Sequence, residues 1–419
     1  MSILALNAGS SSLKFGLFDD NDCAPLMTGE FDWADGNLDE AQLTVRPRHG
    51  TIVRSRLPLP DSSNAAARAI RVALDSTPSA NIVAVGHRIV HGGDDYRASV
   101  IIDSRVKETI GRWGELSSLH NPPALKTIEA VEEALPGTPQ TAVFDTAFYA
   151  NMPLRACLYA APFDWYERWG IRRFGFHGIS HAYCASRAAA MLGRNLADLR
   201  IVSCHLGGGC SATAIQGGAP VATTGGFSPL EGLMMGTRCG TIDPGALIHL
   251  QRKAGMSCKE LDRSLNHFSG LLGISGVSPN LAQIEIAAGQ GNHRARLAFE
   301  MFADQVRGAI GRLATTMGGI DVLTFTDRAG ESSPALRAAV CQGLEFMGIR
   351  VNTKLNAEAR ADMDIAADNS PARIMVVHTE EELMVARETR RVASGAFARP
   401  PAQRPTDDEE VTPQIELVS

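Results

Sequence analysis

The chain has no G-x-x-x-x-G-K-[ST] loop, no C-x-x-C pair, no apolar run of 18 residues and no excess of positive charge. Each absence removes a class of function. Without the glycine-lysine loop, a phosphate would have to be held by some other device. The eight cysteines, scattered from Cys23 to Cys341, show neither redox nor metal-ligand spacing and read as buried thiols of a reducing compartment. No segment is long and apolar enough to span a bilayer, and the first residues lack the basic and apolar regions of a signal peptide. The expectation is a cytoplasmic protein without a membrane partner. A net charge of -6 gives no broad basic face for nucleic acid. An anionic ligand would have to be met locally.

What is present is an α/β composition: 44% hydrophobic residues, 6% aromatics and forty glycines in 419 residues. That length accommodates two or three domains with their own cores. The opening stretch carries the first chemical signal. Ile3 to Leu6 is a short apolar run, and Leu13, Phe15 and Leu17 alternate as a second strand would. Between them Asn7-Ala8-Gly9-Ser10-Ser11-Ser12 offers backbone N–H groups, hydroxyls and an amide, with the ammonium of Lys14 close behind. A phosphate binds to such groups. An ordinary soluble turn would read the same way.

The strand Ile82 to Val85 runs into Gly86-His87-Arg88-Ile89-Val90-His91-Gly92-Gly93, either a candidate anion site or an exposed basic loop. Leu119-His120-Asn121-Pro122-Pro123 opens a helix. The strand at Thr141 to Phe144 ends in Asp145, a catalytic position or a helix cap. In R-R-F-G-F-H-G-I-S-H, His177 stands ahead of a helix whose positive end can polarise an anion. His177 and His181, four apart, could alternatively share a zinc ion.

Arg200 to Ile215 repeats the opening pattern. A short apolar strand leads to His205-Leu206-Gly207, as the first leads to Asn7-Ala8-Gly9, and a second strand follows. Duplication of a phosphate-binding hairpin about 200 residues apart predicts two similar halves whose hairpins face one cleft. Thr223 to Pro244 is a long glycine-rich loop, a length that points to a site, and Arg238 stands out within it. Helices are expected near Ser257 to Leu265 and Asn292 to Met317. Thr326 to Ser332 reads as a turn, and Thr379 as the cap of a helix with acids in its first turn.

N-A-G-S-S-S-L-K-F, G-H-R-I-V-H-G-G, H-N-P-P-A-L, F-D-T-A-F, R-R-F-G-F-H-G-I-S-H, C-H-L-G-G-G, P-L-E-G-L-M-M-G-T-R and E-E-L-M-V-A-R-E-T, in this order and spacing, closely resemble the acetate kinases. These belong to the superfamily of acetate and sugar kinases, heat-shock chaperones and actin. The match runs from Met1 to about Arg391. The resemblance implies an α/β fold of two duplicated actin-like (ribonuclease H-like) domains with the nucleotide and substrate cleft between them. The first would be residues 1–148 plus about 380–393, the second 149–379, with 394–419 a disordered tail. It further implies ATP and ADP with Mg²⁺ (or Mn²⁺), a short-chain carboxylate acceptor and a homodimer.

Carried over residue by residue, the resemblance places the metal near Asn7 and Glu381. The acceptor and transferring phosphoryl would lie near Arg88, His120, Asp145, His177 and Arg238, and the acyl group against Val90, Leu119, Phe176 and Pro229. Ser10, Ser12 and Lys14 would serve phosphate. His205, Leu206, Gly207, Gly208 and Gly209 and the segment Arg328, Ala329, Gly330, Glu331 and Ser332 would hold the nucleotide, with Asn280, Leu281 and Ala282 beside it. Departures from the family pattern gather on that nucleotide side. Gly208 stands for Asn, Asn280-Leu281-Ala282 for an Asp-aromatic-Arg trio, and Arg328 and Ser332 for Gly and Asn. Donor identity is therefore the open part of the reading, with propionate or butyrate as alternative acceptors. A non-catalytic actin-like binding protein is the rival from another class.

Overall fold

The structure, a computed structural model, describes residues 1–9, 12–33, 41–59, 63–77 and 80–395. Ser10 and the chain from 396 onward lie outside the described residues.

Fourteen described strands form two sheets. The first contains β1 (Ser2–Ala8), β2 (Ser12–Asp19), β3 (Pro25–Asp32), β4 (Ala41–Pro47), β5 (Val53–Leu57), β6 (Ile82–Ile89), β7 (Val100–Ile101) and β8 (Gln140–Phe144). The second contains β9 (Arg200–Leu206), β10 (Cys210–Gln216), β11 (Ala219–Thr223), β12 (Val322–Thr326), β13 (Met363–Asp364) and β14 (Arg373–Val376). Their orders are β5-β4-β3-β2-β1-β6-β8-β7 and β11-β10-β9-β12-β14-β13. Within both runs three antiparallel strands are followed by two parallel ones and an antiparallel edge strand. The duplication read from two hairpins thus extends over six strands of each sheet.

The inner strands are apolar at nearly every position because both faces are covered. In β1, Ile3 and Ala5 face one core and Leu4 and Leu6 another. In β9, Ile201 faces the first of these cores while Val202, Cys204 and Leu206 face a third, under the long helix His293–Thr316. One core is shared by the two sheets. It joins Ile3, Ala84 and Val143 to Ile215, Val322 and Met375 through the helices Gly178–Leu192 and Glu381–Ala393. Two helices sandwiched between the sheets therefore carry side chains to both hairpins.

Three local expectations change. β6 continues through Arg88 to Ile89, because β8 supplies a parallel partner as far as Phe144. Arg88 is a strand residue and not part of a loop. The segment after β12 is a short helix, Asp327–Ser332, held by the fully buried Arg337, which donates to Gly330 O at 2.9 Å and Glu331 O at 2.7 Å. Thr379 is not the cap: the last helix has Glu380 at its cap position, and Thr379 Oγ1 is buried without a partner among the described residues.

Candidate active site

Arg88 lies at the centre of the first hairpin's side of the cleft. Its Nη2 and Nε donate to Asp145 Oδ2 at 2.7 and 3.2 Å, and its Nη1 approaches Glu381 Oε2 at 3.1 Å and donates to Asn7 Oδ1 at 3.1 Å. Asn7 in turn donates to Glu381 Oε2 at 2.8 Å and to Glu382 Oε1 at 3.0 Å. Two of the acids expected to cap the last helix are therefore tied to the opening strand. Burial opposes the charge on Glu381, but Arg88, His205 and Lys14 outweigh it and hold the carboxyl below its ordinary range. Lys14, directly across from Asn7 in the hairpin, is likewise desolvated. Glu382, Glu381 and Asp327 outweigh that burial and raise it above the usual ammonium value.

The second hairpin's side is built from imidazoles. His177, in the left-handed backbone region (φ 55°), is the residue ahead of helix Gly178–Leu192. That conformation is uncommon for a side chain with a Cβ and is strained. His177 stacks on His205 with centroids 4.1 Å apart, and His205 Nε2 meets Asp327 Oδ2 at 3.1 Å. Burial first, and His205 second, push His177 and His181 well below the usual imidazole pKa. Burial thus favours the neutral form of both rings. The two side chains do not converge on a metal position; they straddle the Ser211 hydroxyl at 2.7 and 2.8 Å.

Arg238 completes the ring of groups. It is 8% exposed and makes no ion pair among the described residues; its Nη1 donates to Pro229 O at 2.7 Å. A Cβ placed on Gly209 would lie 2.7 Å from Arg238 Nη2 and 3.1 Å from His177 Nε2. Only glycine leaves both groups free to face the cleft here. A buried guanidinium without a carboxylate is a ready anion partner.

Of these groups Asn7, Arg88, His177, His205, Arg238, Asp327 and Glu381 line one cavity of about 170 Å³, together with Val90, Phe176, Pro229, His120, Ser12 and Lys14; Asp145 stands behind Arg88 and does not line it. Burial, then Arg238 and Arg88, lower the His120 pKa to about 3. Leu119 does not join the other apolar residues. It lines an adjoining cavity of about 160 Å³ that shares His120, Pro229 and Arg238.

The profile of the Acetokinase family matches residues 2–387. The chain belongs to that family. It is 45% identical over 401 residues to the acetate kinase of Trichormus variabilis, an alignment covering 93% of this chain and 98% of the relative. Among solved structures it is similar to acetate kinase from Porphyromonas gingivalis (38% identity, TM-score 0.82, 94% and 99% of the two chains). It is also similar to a propionate kinase from Francisella tularensis (33% identity, TM-score 0.85, 93% and 99%).

In this member of the family the nucleotide-side candidates are dispersed. Gly209 lines the cavity, while Gly208 is exposed with open space where a Cβ would stand. The Leu206 and Leu281 side chains belong to the second sheet's core. Asn280 caps helix Leu281–Gly289 by accepting from Ala282 N, and Ala282 is exposed. Arg328 is exposed, Ala329 and Gly330 are buried, and Ser332 Oγ donates back to Arg328 O. Glu331 accepts from Asp327 N at 3.1 Å and stands 2.8 Å from His378 Nδ1.

For a divalent cation the residues fit. Glu381 Oε1 is buried without a partner among the described residues, as is Thr379 Oγ1, and both residues line the cavity with Asn7 and Asp327. Hard oxygen donors suit Mg²⁺ or Mn²⁺. Among the described residues no group of three or more His, Cys, Asp or Glu forms a metal cage. A cation would complete its shell with water and phosphate oxygens, the usual arrangement for Mg²⁺.

Sequence reading missed Asp327, Ser203 and Ser211. The two serines had a signal: Ser203 and His205 alternate on β9, and Ser211 is the register partner of His205. Asp327 had none, since its place depends on a left-handed backbone (φ 63°) that brings it to His205.

Proposed function

We propose that the cleft transfers the γ-phosphoryl group of ATP to acetate, reversibly, giving acetyl phosphate and ADP by direct in-line displacement. Membership of the acetokinase family supports a kinase acting on a carboxylate. The observation that carries the reading is the convergence of Arg88, Arg238, His177 and His120 on one cavity with an apolar end. A carboxylate is already ionised at neutral pH, so no general base is needed. An acetate oxygen forms the new bond to phosphorus while the bond to the β-phosphate oxygen breaks and its electron pair leaves with ADP. The catalytic demand is for cancelling repulsion between two anions and stabilising charge in the transition state.

In this reading Arg238 and His177 donate to the transferring group, Arg88 neutralises the acceptor carboxylate, and Asp145 orients Arg88. Val90, Phe176 and Pro229 enclose the methyl group. Ser12, Lys14 and the turn before β2 would bear on phosphate and metal, not on the base. Glu381, oriented by Asn7, would hold Mg²⁺, which when bound supplies charge neutralisation at the phosphate oxygens. Residues 1–148 with the last helix would form one domain, and 149–379 the other.

A second reading, a propionate or butyrate kinase, is favoured by one placement: Leu119 leaves the acyl end and lines the adjoining cavity. A methylene is worth only about 1–3 kcal/mol of discrimination. A hydroxamate assay crossing acetate, propionate and butyrate with ATP, GTP and pyrophosphate decides among these. Formation of acetyl hydroxamate with ATP is expected; no product with any pair would favour a binding protein. A homodimer is proposed from helix Pro244–Ala254, which buries none of its residues and exposes Ile248 and Leu250. Sedimentation of the whole chain at twice its mass is the expected result.

A further inference from the structure

Helix Gly178–Leu192 packs on the face of the second sheet that carries Ser203 and His205 from β9 and Ser211 and Thr213 from β10. A continuous chain of side chains runs through this interface. Ser203 Oγ lies 2.8 Å from His181 Nδ1, His181 Nε2 2.8 Å from Ser211 Oγ, and Ser211 Oγ 2.7 Å from His177 Nδ1. The far ring nitrogen, His177 Nε2, faces the cleft beside Arg238 across Gly209.

The direction of donation along such a chain is fixed by its blind end. Ser203 is fully buried, and its hydroxyl has His181 Nδ1 as its only hydrogen-bond partner among the described residues. Thr324, the register partner of Ser203 on β12, has a buried hydroxyl that makes no hydrogen bond among the described residues, so it does not take the Ser203 proton. Accepting from His181 would leave the buried Ser203 proton without an acceptor, whereas donating uses it, so Ser203 donates to His181 Nδ1. A neutral imidazole accepting at one nitrogen donates at the other. His181 Nε2–H therefore donates to Ser211 Oγ, and the Ser211 proton goes to His177 Nδ1. The competing acceptor of Ser211, Phe176 O, is 3.5 Å away, too long to compete with a contact of 2.7 Å. His177 is left with its proton on Nε2.

We propose that Ser203, His181 and Ser211 are positioning residues that lock His177 in the tautomer protonated at Nε2, so that it meets the transferring phosphoryl group as a hydrogen-bond donor. The reversed chain would turn a lone pair towards phosphate oxygens. The two rings are kept neutral by their burial, and a neutral ring needs such a lock because it has one proton to place. The catalytic meaning rests on the role given to His177 above; the tautomer itself does not.

The test is nitrogen NMR of the full-length protein with ring-labelled histidine, His177 being assigned by its loss in His177→Gln. A protonated Nε2 and an unprotonated Nδ1 are expected, and the opposite pattern overturns the proposal whether or not the protein forms acyl phosphate. Ser211→Ala should mix the two tautomers. It should also lower kcat at least about 10-fold, towards the roughly 100-fold cost of a lost transition-state donor, with KM for acetate and ATP nearly unchanged. Ser211→Thr, which keeps the hydroxyl, should restore the single tautomer and most of kcat. Wild-type kcat in Ser211→Ala, or equal losses in the Ala and Thr variants, would show that the chain does not position His177.

Discussion

Arg88 and Asp145 are joined through a single carboxylate oxygen, Oδ2, which accepts from Nη2 at 2.7 Å and from Nε at 3.2 Å. The other oxygen, Oδ1, faces Ile179 N at 3.4 Å in the first turn of the helix between the sheets. One fully buried acid thus ties a strand of the first sheet to the helix led by His177. In Asp145→Asn the amide can serve only one of these donors as an acceptor. A loss of kcat is expected together with a stability loss of up to about 3–5 kcal/mol, the cost of breaking a buried pair. Urea unfolding beside steady-state kinetics checks both; unchanged kcat and stability would remove Asp145 from this role.

Gly209→Ala separates function from folding. The new methyl would meet the ends of the Arg238 and His177 side chains, not backbone, so the fold can yield at small cost. Displacing two groups in the cleft should reduce kcat about 100-fold, with a melting temperature near that of wild type.

Arg238→Lys keeps the charge and loses the planar fork. The guanidinium holds Pro229 O through Nη1 while Nη2 faces Gly209; an ammonium cannot do both at that geometry. Most of kcat should disappear, by on the order of 100-fold, and near-normal turnover would refute the role given to Arg238.

Asp327 predicts the acid limb of stability. Burial opposes its charge, but His205 and Lys14 outweigh burial and hold its carboxyl far below the ordinary value of about 3.9. A carboxyl depressed in the folded state contributes stability that is complete above the unfolded pKa and is lost as pH falls below it. Between about pH 5 and pH 3, Asp327→Asn should lose stability less steeply than wild type, as read by denaturant midpoints. Asn tolerates the left-handed backbone at this position, so the comparison isolates the charge. Parallel slopes would show that the pair does not govern this limb.

Gly86→Ala tests how the last helix closes on the first sheet. A Cβ there would run into Thr389 Oγ1 and lie 2.7 Å from Val385 Cγ1. Overpacking should destabilise the protein by about 1–3 kcal/mol. Because that helix also presents Glu381, the dependence of activity on Mg²⁺ concentration should shift to higher values.

Local sequence pattern is enough for the strands of both hairpins and for their duplication. Apolar runs and alternation fix β1, β2, β9 and β10, since those patterns answer to neighbours within a few positions. The place of His177 just ahead of a helix is legible as well, and glycine with small polar residues marks both hairpin turns. What these groups do to one another follows from packing. Whether Glu381 caps its helix or holds Asn7, 374 residues away, depends on where the last helix docks. That Arg88 is a strand residue depends on β8 being its partner. The separation of Leu119 from the acyl end, the approach of Asp327 to His205 and the direction of the serine–histidine chain follow the same rule. They are set by packing between segments distant in sequence, where no local period carries information about the partner.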